Sequence, residues 1–477
     1  MKVSMDVDPS SEADVVVVGA GIAGLIAATR CAMGGLRVVV LEKSIEDRYV
    51  CNSRLTGGVF HLAYHDVFGD EDSIVKAIEA SSANSADPIL VRTVVQDAKR
   101  VVRWLESLGI RFLRGAGADW RSSILAPPPL PQLGRKWEGR GGDVALRTLL
   151  QKLEESGGTL YRGYRAKNIS LESGHVTGIR GVRADGSQFS FASRAVVIAD
   201  GGFQANKEMI GRHITKEPTR LVQRNSQTGM GDGLNMAREI SAEITDLSAF
   251  YGHLLSRDAL TNDRLWPYPY LDEIARVSLM IGADGLRFVD EGLGGVAIAN
   301  TLAKKADPTE AFVVFDQSIW EGPGRQRALP PNPTLATAGA TIYQAASLSE
   351  LAKLCNVPAA AFSSQIEAYN TALKNQTLAQ MVPRRSVHKY DALPIVRAPY
   401  FAIPVVPGIT YTMGGVRINQ DSCALHTSGS PISGVYAVGG ATGGIEGGPS
   451  STYVGGLSIS GVTGLRAAEH ILKATTL

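Results

Sequence analysis

Residues 13–42 read ADVVVVGAGIAGLIAATRCAMGGLRVVVLE. Val15 to Val18 form an unbroken valine run, as expected of a strand buried on both faces. Gly19-Ala20-Gly21-Ile22-Ala23-Gly24 follows at once, then a helix-forming run with Leu25, Ala27, Ala28 and Met33, then a second strand from Val38 to Leu41 that ends on Glu42. This is a complete βαβ unit opened by the glycine pattern of dinucleotide-binding folds. Gly19 permits the tight turn, Gly21 lets the backbone approach a pyrophosphate, and Gly24 lets helix and strand pack closely. Ile22 and Ala23 begin the helix whose N-terminus, with its unsatisfied N–H groups and positive dipole end, faces the phosphates. Glu42, 18 residues after Gly24, is placed to accept hydrogen bonds from a ribose diol, with Lys43 beside it. An acid there disfavours a 2′-phosphate, so the dinucleotide is FAD or NAD rather than NADP.

The chain has 477 residues, more than one ordinary core accommodates, which predicts two domains. A net charge of +2 gives no argument for nucleic acid or for an acidic membrane surface. The four cysteines, Cys31, Cys51, Cys355 and Cys423, lack metal-type spacing, so no disulfide framework, zinc site, iron–sulfur cluster or attached c-type haem is expected, and no metal. Cys51 reads as an ordinary thiol. The first dozen residues are polar and acidic with no apolar core, and no stretch is long enough to span a bilayer. The expectation is a cytoplasmic protein with a flexible N-terminus over 1–12 and no stable membrane insertion.

Further along, apolar residues recur at helical spacing over 71–109, and Pro127-Pro128-Pro129 with Pro131 marks a loop. Gly141-Gly142-Asp143 opens another helix. Residues 159–199 alternate as strands, with turns at 172–174 and 184–186, and close on the buried strand and glycine turn Ala195-Val-Val-Ile-Ala-Asp-Gly-Gly-Phe203. From 249 to 408 prolines and aromatics increase, and segments 344–355 and 358–375 look helical. The tail, 409–477, returns to glycine-rich strand and turn before a final helix over 461–473. The expected architecture is α/β. A Rossmann-like dinucleotide domain built from both chain ends (13–248 and 409–477) carries an inserted α+β capping domain (249–408).

Five further segments occur in a definite order: Ala195–Phe203, Thr228–Ala237 (TGMGDGLNMA), Gly285–Glu291 (GLRFVDE), Thr412–Val416 (TMGGV) and Gly434–Gly444 (GVYAVGGATGG). Behind the dinucleotide fingerprint they identify a resemblance to the fumarate reductase-like FAD-dependent oxidoreductases, a group with soluble fumarate reductases, 3-ketosteroid dehydrogenases and tricarballylate dehydrogenases. Asn52–Thr56 (NSRLT) looks most like the tricarballylate branch. The resemblance implies FAD held by Ser53, Arg54, Thr56, Gly57 and Gly58, by Ala199, Asp200, Gly201 and Gly202, by Asp232, by Gly439 and Gly440, and by Gly455, Gly456, Leu457 and Ser458. The helix after Gly456 would present its N-terminus to the pyrimidine side of the flavin and stabilise charge on the reduced ring. Membrane-bound relatives anchor FAD through a histidine in the region of Asn52–Thr56; this segment has none, so non-covalent FAD is expected.

Carried over position by position, the family's substrate histidine falls on His253, and its proton-delivery Glu-x-x-Arg on Glu273 and Arg276. Its catalytic arginine falls on Gly295, its second histidine on Thr410 or Tyr411, and its clamping arginine on Tyr453. A phenol does not replace a guanidinium as a carboxylate ligand, so fumarate reduction is not expected. Thr452-Tyr453-Val454-Gly455-Gly456 instead resembles the Tyr-x-Gly segment of ketosteroid and tricarballylate dehydrogenases. In the ketosteroid enzymes that tyrosine polarises the substrate carbonyl, acidifying the α-hydrogen while the β-hydrogen leaves as hydride to flavin N5. The catalytic candidates are therefore Tyr453, Tyr411 as a second acid or base, His253 as orienting partner, and Glu273 with Arg276. Each has a plainer alternative. Tyr453 packs on the flavin edge, His253 is a core histidine, and Glu273 with Arg276 is a helix pair. Trp266-Pro267-Tyr268-Pro269-Tyr270 either lines the substrate cavity or fills the cap core.

The expected function is hydride transfer between FAD and a carbon next to the carbonyl or carboxylate of a small molecule, with the electron partner unspecified. Two alternatives stay open: tricarballylate-type oxidation through a clamp of Arg54, Arg276 and Arg135, and a non-catalytic flavin-binding redox or partner-dependent protein. A single dinucleotide fingerprint argues against a second, tightly held nicotinamide.

Overall fold

The computed structural model describes residues 12–115, 118–128, 130, 136–327 and 329–475. Residues 1–11 of the expected N-terminal tail, Pro129 and Pro131 of the proline loop, and Arg135 lie outside them.

Strand β1 (Glu12–Val18) sits at the centre of the first sheet. It pairs in parallel with β2 (Val38–Glu42) on one side, with Val15 opposite Val38. On the other side lies β7 (Gln188–Ile198), with Val16 opposite Val196. Beyond β2 lies β4 (Thr159–Arg162), also parallel. The inward strands are valine-rich because both faces of a parallel sheet are covered. Strand β7 has two partners. Its first half pairs antiparallel with β6 (His175–Arg183), which pairs with β5 (Tyr164–Glu172). Its second half pairs in parallel with β13 (Pro431–Ala437), placing Val435 opposite Val196. A strand from the chain's end thus completes the sheet begun at residue 12. Helix α1 (Ile22–Met33) packs on the last helix, α8 (Gly456–Thr475), so closely that a Cβ at Gly464 would lie 2.6 Å from the Ala23 carbonyl oxygen.

The second sheet is organised by β11 (Tyr400–Met413). Its first half pairs with β10 (Ala311–Asp316), which pairs with β9 (Leu279–Gly282), and its second half pairs antiparallel with β8 (Ala249–Ser256). Ala249 faces Met413, so the chain enters and leaves this half of the molecule through two strands hydrogen-bonded to each other.

Local expectations are corrected at three places. The helical stretch 71–109 is two helices, α2 (Glu71–Ser81) and α3 (Pro88–Ser107). Asp87 caps the second, accepting from the N–H groups of Ile89 and Leu90, and Pro88 at its first position ends any continuation from upstream. The segment 344–355 opens as a strand, Tyr343–Ala345, and its helix starts only at Leu348, after Ser347 caps the Glu350 N–H. The last helix begins at Gly456, five residues before the expected start. Gly461 and Gly464 do not interrupt it because they abut Val101 and Ala23 at distances a side chain would not allow.

Candidate active site

The dinucleotide half of the site is a cradle of backbone. Gly19 adopts φ +100° and a Cβ there would lie 2.6 Å from the Ala199 carbonyl oxygen; one at Gly24 would lie 2.1 Å from the Gly19 carbonyl. These two glycines hold the turn against β7. Gly21 differs: it starts α1 without a side-chain cap, and a Cβ there would meet only Ser53 Oγ at 3.5 Å. Ser53 Oγ itself accepts from the Ile22 N–H at 3.0 Å. Ala23 is buried behind them. Glu42 closes β2 and folds back on the turn, accepting from Ser44 and, at 3.4 Å, from Ala20. Lys43 donates to the Thr228 carbonyl. At the end of β7, Gly201 (φ +80°) has nothing within 4 Å of a Cβ, and Gly440 approaches it no nearer than 3.7 Å. Asp200 beside them accepts from Gly233 through Oδ2, while its buried Oδ1 has no partner and burial pushes its carboxyl up to about 6. A bare glycine cleft with an orphaned buried acceptor beside a helix N-terminus fits a bound dinucleotide.

The remaining predicted cofactor residues take several positions. Arg54 is buried in an ion pair with Asp143, between the rings of Tyr49 and Trp137. Arg54 therefore has its own carboxylate. Thr56 Oγ1 caps the Gly58 N–H at 3.1 Å, and Gly57 faces open space. Asp232 is engaged by Arg165 through both oxygens, at 2.7 and 2.9 Å. Gly439 and Gly440 line a cavity with Tyr411, Thr412, Glu446 and Gly456. Gly202 abuts Thr412, whose hydroxyl accepts from the Phe203 N–H. Gly455 approaches the His61 carbonyl, which accepts from Ser458 Oγ at 2.8 Å; Leu457 is half-buried beside them. Burial pushes the Cys51 thiol up to about 11.

Against this cradle stands a cluster of aromatic hydroxyls. Tyr251 on β8 faces Tyr411 on β11 directly across the antiparallel pair, with ring centroids 5.3 Å apart. Tyr453, from the loop before the last helix, stacks on Tyr251 at 4.0 Å. His253 lies two residues from Tyr251 on the same strand, its Nε2 3.0 Å from the Tyr251 hydroxyl, and Tyr270 stacks on it at 4.4 Å. Three predicted catalytic residues, Tyr453, Tyr411 and His253, are thus brought together. Glu273 and Arg276 form an ion pair in the short helix at Asp272–Ala275, and Arg276 lies over the Tyr390 ring. Arg327 joins this pair to the cluster, meeting Glu273 and donating to the Tyr270 hydroxyl. Burial pushes the Glu273 carboxyl up to about 7 against the pull of Arg276.

The sequence reading passed over His61, Glu446, Asp272, Arg224 and Arg327. His61, on β3 (Val59–Leu62), places Nε2 3.2 Å from the Tyr453 hydroxyl. Glu446 accepts the Tyr411 hydroxyl at 2.7 Å through one oxygen, and the Val454 and Gly455 N–H groups through the other. Burial raises its carboxyl while these donors pull it back. Asp272 accepts from His253 Nδ1 at 2.5 Å and from the Leu254 N–H. It also explains Gly295. A Cβ at 295 would lie 2.0 Å from the Asp272 carboxyl carbon, so the arginine of the reductase pattern has no room. The aromatic run at 266–270 divides. Trp266 is buried and donates to the Gln223 carbonyl, whereas Tyr270 lines the cluster.

Fold and site together define a dinucleotide-binding flavoprotein of the α/β class. The chain belongs to the family described as FAD binding domain, whose model matches residues 14–451. It is an FAD-dependent oxidoreductase. A probable fumarate reductase, Ifc3, from Shewanella frigidimarina is 26% identical, over 97% of this chain and 76% of its own length. The 4-oxocyclohexanecarboxylate 2-dehydrogenase of Sinomonas cyclohexanicum is 28% identical, over 95% and 91%. Among solved structures, 3-ketosteroid-Δ4-(5α)-dehydrogenase from Rhodococcus jostii RHA1 shares the fold with a TM-score of 0.73 and 20% identity, over 98% of each chain. Among the described residues no helix is long and apolar enough to cross a membrane.

Proposed function

We propose that this enzyme oxidises or reduces a carbon–carbon bond next to a carbonyl group, and that Tyr453 polarises that carbonyl. One observation carries the reading: of the three clustered tyrosines, Tyr453 is the one whose oxygen faces a histidine N–H. His61 Nδ1 accepts from the Tyr64 N–H at 3.2 Å, and burial holds the ring neutral, with its pKa at about 4. Its one proton therefore sits on Nε2 and is donated to the Tyr453 oxygen. With its oxygen held by His61, the Tyr453 O–H, which borders Tyr251, turns to a substrate oxygen when one is bound. His253 has the opposite tautomer: Nδ1–H donates to Asp272, so Nε2 accepts the Tyr251 proton. Tyr411 donates its proton to Glu446. Tyr411 thus offers a lone pair and an exit for a proton. In the oxidative direction the substrate α-proton passes to the Tyr411 oxygen as the Tyr411 proton passes to Glu446; reduction reverses both transfers.

FAD, held by the glycine cradle, Glu42 and the N-terminus of α8, supplies hydride acceptance or donation when bound. A helix N-terminus at Gly456, next to the Tyr411 hydroxyl, favours negative charge there. The absence of a histidine within Asn52–Thr56 supports non-covalent FAD. We assign residues 13–248 and 409–477 to the FAD-binding domain and 249–408 to a cap that hinges near residues 249 and 410, where β8 and β11 pair, and closes to exclude water. A polycarboxylate clamp is less well supported, because Arg54 and Arg276 each already hold a carboxylate. The oxocyclohexane ring acid acted on by the Sinomonas relative supports a ketone.

The test is anaerobic mixing with cyclic ketones and carboxylates while the oxidised flavin band is followed. Tyr453→Phe is expected to keep the flavin bound and slow its bleaching at least about tenfold. An unchanged rate removes Tyr453 from the mechanism.

A further inference from the structure

Arg224 is a cation of this site that no carboxylate answers among the described residues. It follows the short strand Val222–Gln223, which pairs in parallel with Gly408 and Ile409 of β11, and its own N–H extends the ladder to the Ile409 carbonyl. Its side chain crosses Gly408, where a Cβ would come within 2.6 Å of Arg224 Cδ. Nη1 donates to Thr410 Oγ1 at 2.9 Å and Nε to the Pro267 carbonyl at 3.3 Å. The rings of Tyr268 and Tyr270 flank the guanidinium at 5.8 and 5.7 Å. Both hydrogen-bond acceptors are neutral. Nη2 has no hydrogen-bond partner among the described residues.

The neighbouring carboxylates are already matched. Glu273 meets both Arg276 and Arg327, and Asp272 is held by His253. No carboxylate lies within 4.0 Å of Arg224 among the described residues. The half-buried guanidinium is thus fixed in direction, flanked by aromatic faces and left with an open N–H edge. A planar carboxylate satisfies such an edge with two parallel hydrogen bonds. A neutral ligand leaves the charge desolvated and unpaired, which costs affinity.

We infer that Arg224 recognises a carboxylate on the substrate, and that the substrate is an oxoacid carrying one carboxylate at Arg224 and its carbonyl at Tyr453. The carbonyl half of this assignment rests on the function proposed above; the anion half stands on Arg224 alone. An unmatched guanidinium at this position selects for an anion. It also selects against neutral ketones, steroids included.

The test uses the FAD-loaded enzyme and two probes, 4-oxocyclohexanecarboxylate and its neutral amide, 4-oxocyclohexanecarboxamide. Binding is read as perturbation of the flavin absorption band. The wild type is expected to bind the acid at least about tenfold more tightly than the amide, the preference to fall with added salt, and Arg224→Gln to equalise the two. Arg224→Lys restores part of the preference, as a point charge without the fork. An acid affinity equal to the amide's in the wild type, no acid binding at all, or a preference that survives in Arg224→Gln overturns the assignment. The wild-type comparison decides even where a variant misfolds. Tyr453→Phe separates the two readings: it weakens acid and amide alike. If it leaves both unchanged while the acid preference still depends on Arg224, the tyrosine reading fails and the anion site stands.

Discussion

At His61 the proposed mechanism lets a single backbone hydrogen bond decide which tyrosine acts as the acid. The Tyr64 N–H fixes the tautomer, and the tautomer orients Tyr453. His61→Leu removes the Nε2–H donor, and flavin reduction by a ketone should slow about tenfold through the loss of roughly one hydrogen bond. The same residue carries a pH signature. Its folded pKa, at about 4, lies below the ordinary 6.5, so the folded state resists a proton that the unfolded chain accepts. Stability is therefore unaffected above pH 6.5 and is lost as pH falls from there toward 4, by up to about 3 kcal/mol for this one 4%-exposed ring. Thermal melts of His61→Leu across that window should be flatter than those of the wild type; parallel curves would show that His61 charges freely in the fold. Glu446 is tested in the same assay. Glu446→Gln keeps a partner for Tyr411 but removes the proton acceptor, and should lower the rate at least about tenfold while FAD and ketone still bind. An unchanged rate would assign Glu446 to structure alone.

Elements explain why half of this site was legible and half was not. The dinucleotide cradle lies in unbroken local sequence, where a valine strand, a glycine turn and a terminal acid each imply the next. The tyrosine cluster is assembled by register. Tyr251 and Tyr411, 160 positions apart in the sequence, meet only because β8 and β11 pair antiparallel. The alternation of Tyr251 and His253 on one strand face was a usable signal. His61, Glu446 and Arg327 come from separate loops and short strands with no periodicity to reveal them. Gly295 shows the opposite case: the missing arginine was visible in sequence, but its cause, the carboxylate of Asp272, was not. It follows that Gly295→Arg does not restore fumarate reduction. The new side chain displaces Asp272 from His253, and the variant should lose ketone turnover without gaining any bleaching in reverse by fumarate. Fumarate-dependent reoxidation of reduced flavin would refute this.

For the whole molecule, the cofactor joins the two ends of the chain. Gly19 abuts the β7 terminus at Ala199, Gly439 abuts Ala23, Gly440 lies beside Gly201, and α1 and α8 touch through Gly464. A ligand that binds only this assembled form stabilises it by mass action, about 2.7 kcal/mol when free FAD exceeds its Kd a hundredfold. In a chain of this size that raises the melting temperature by a few degrees. The coupling should run through the α1–α8 contact. Gly464→Val places side-chain atoms against the Ala23 carbonyl, 2.6 Å from the added Cβ, and should move the helix α1 whose N-terminus would face the pyrophosphate of bound FAD. That variant should lose thermal stability and FAD affinity together, and excess FAD should recover part of the lost melting temperature. A surface change that also adds three carbons, such as Ala360→Leu at an exposed position of the helix Ala359–Lys374, should leave FAD affinity unchanged. If Gly464→Val lowered the melting temperature with no loss of FAD affinity, the two ends would be packed together independently of the cofactor, and the cleft would owe its shape to the sheet alone.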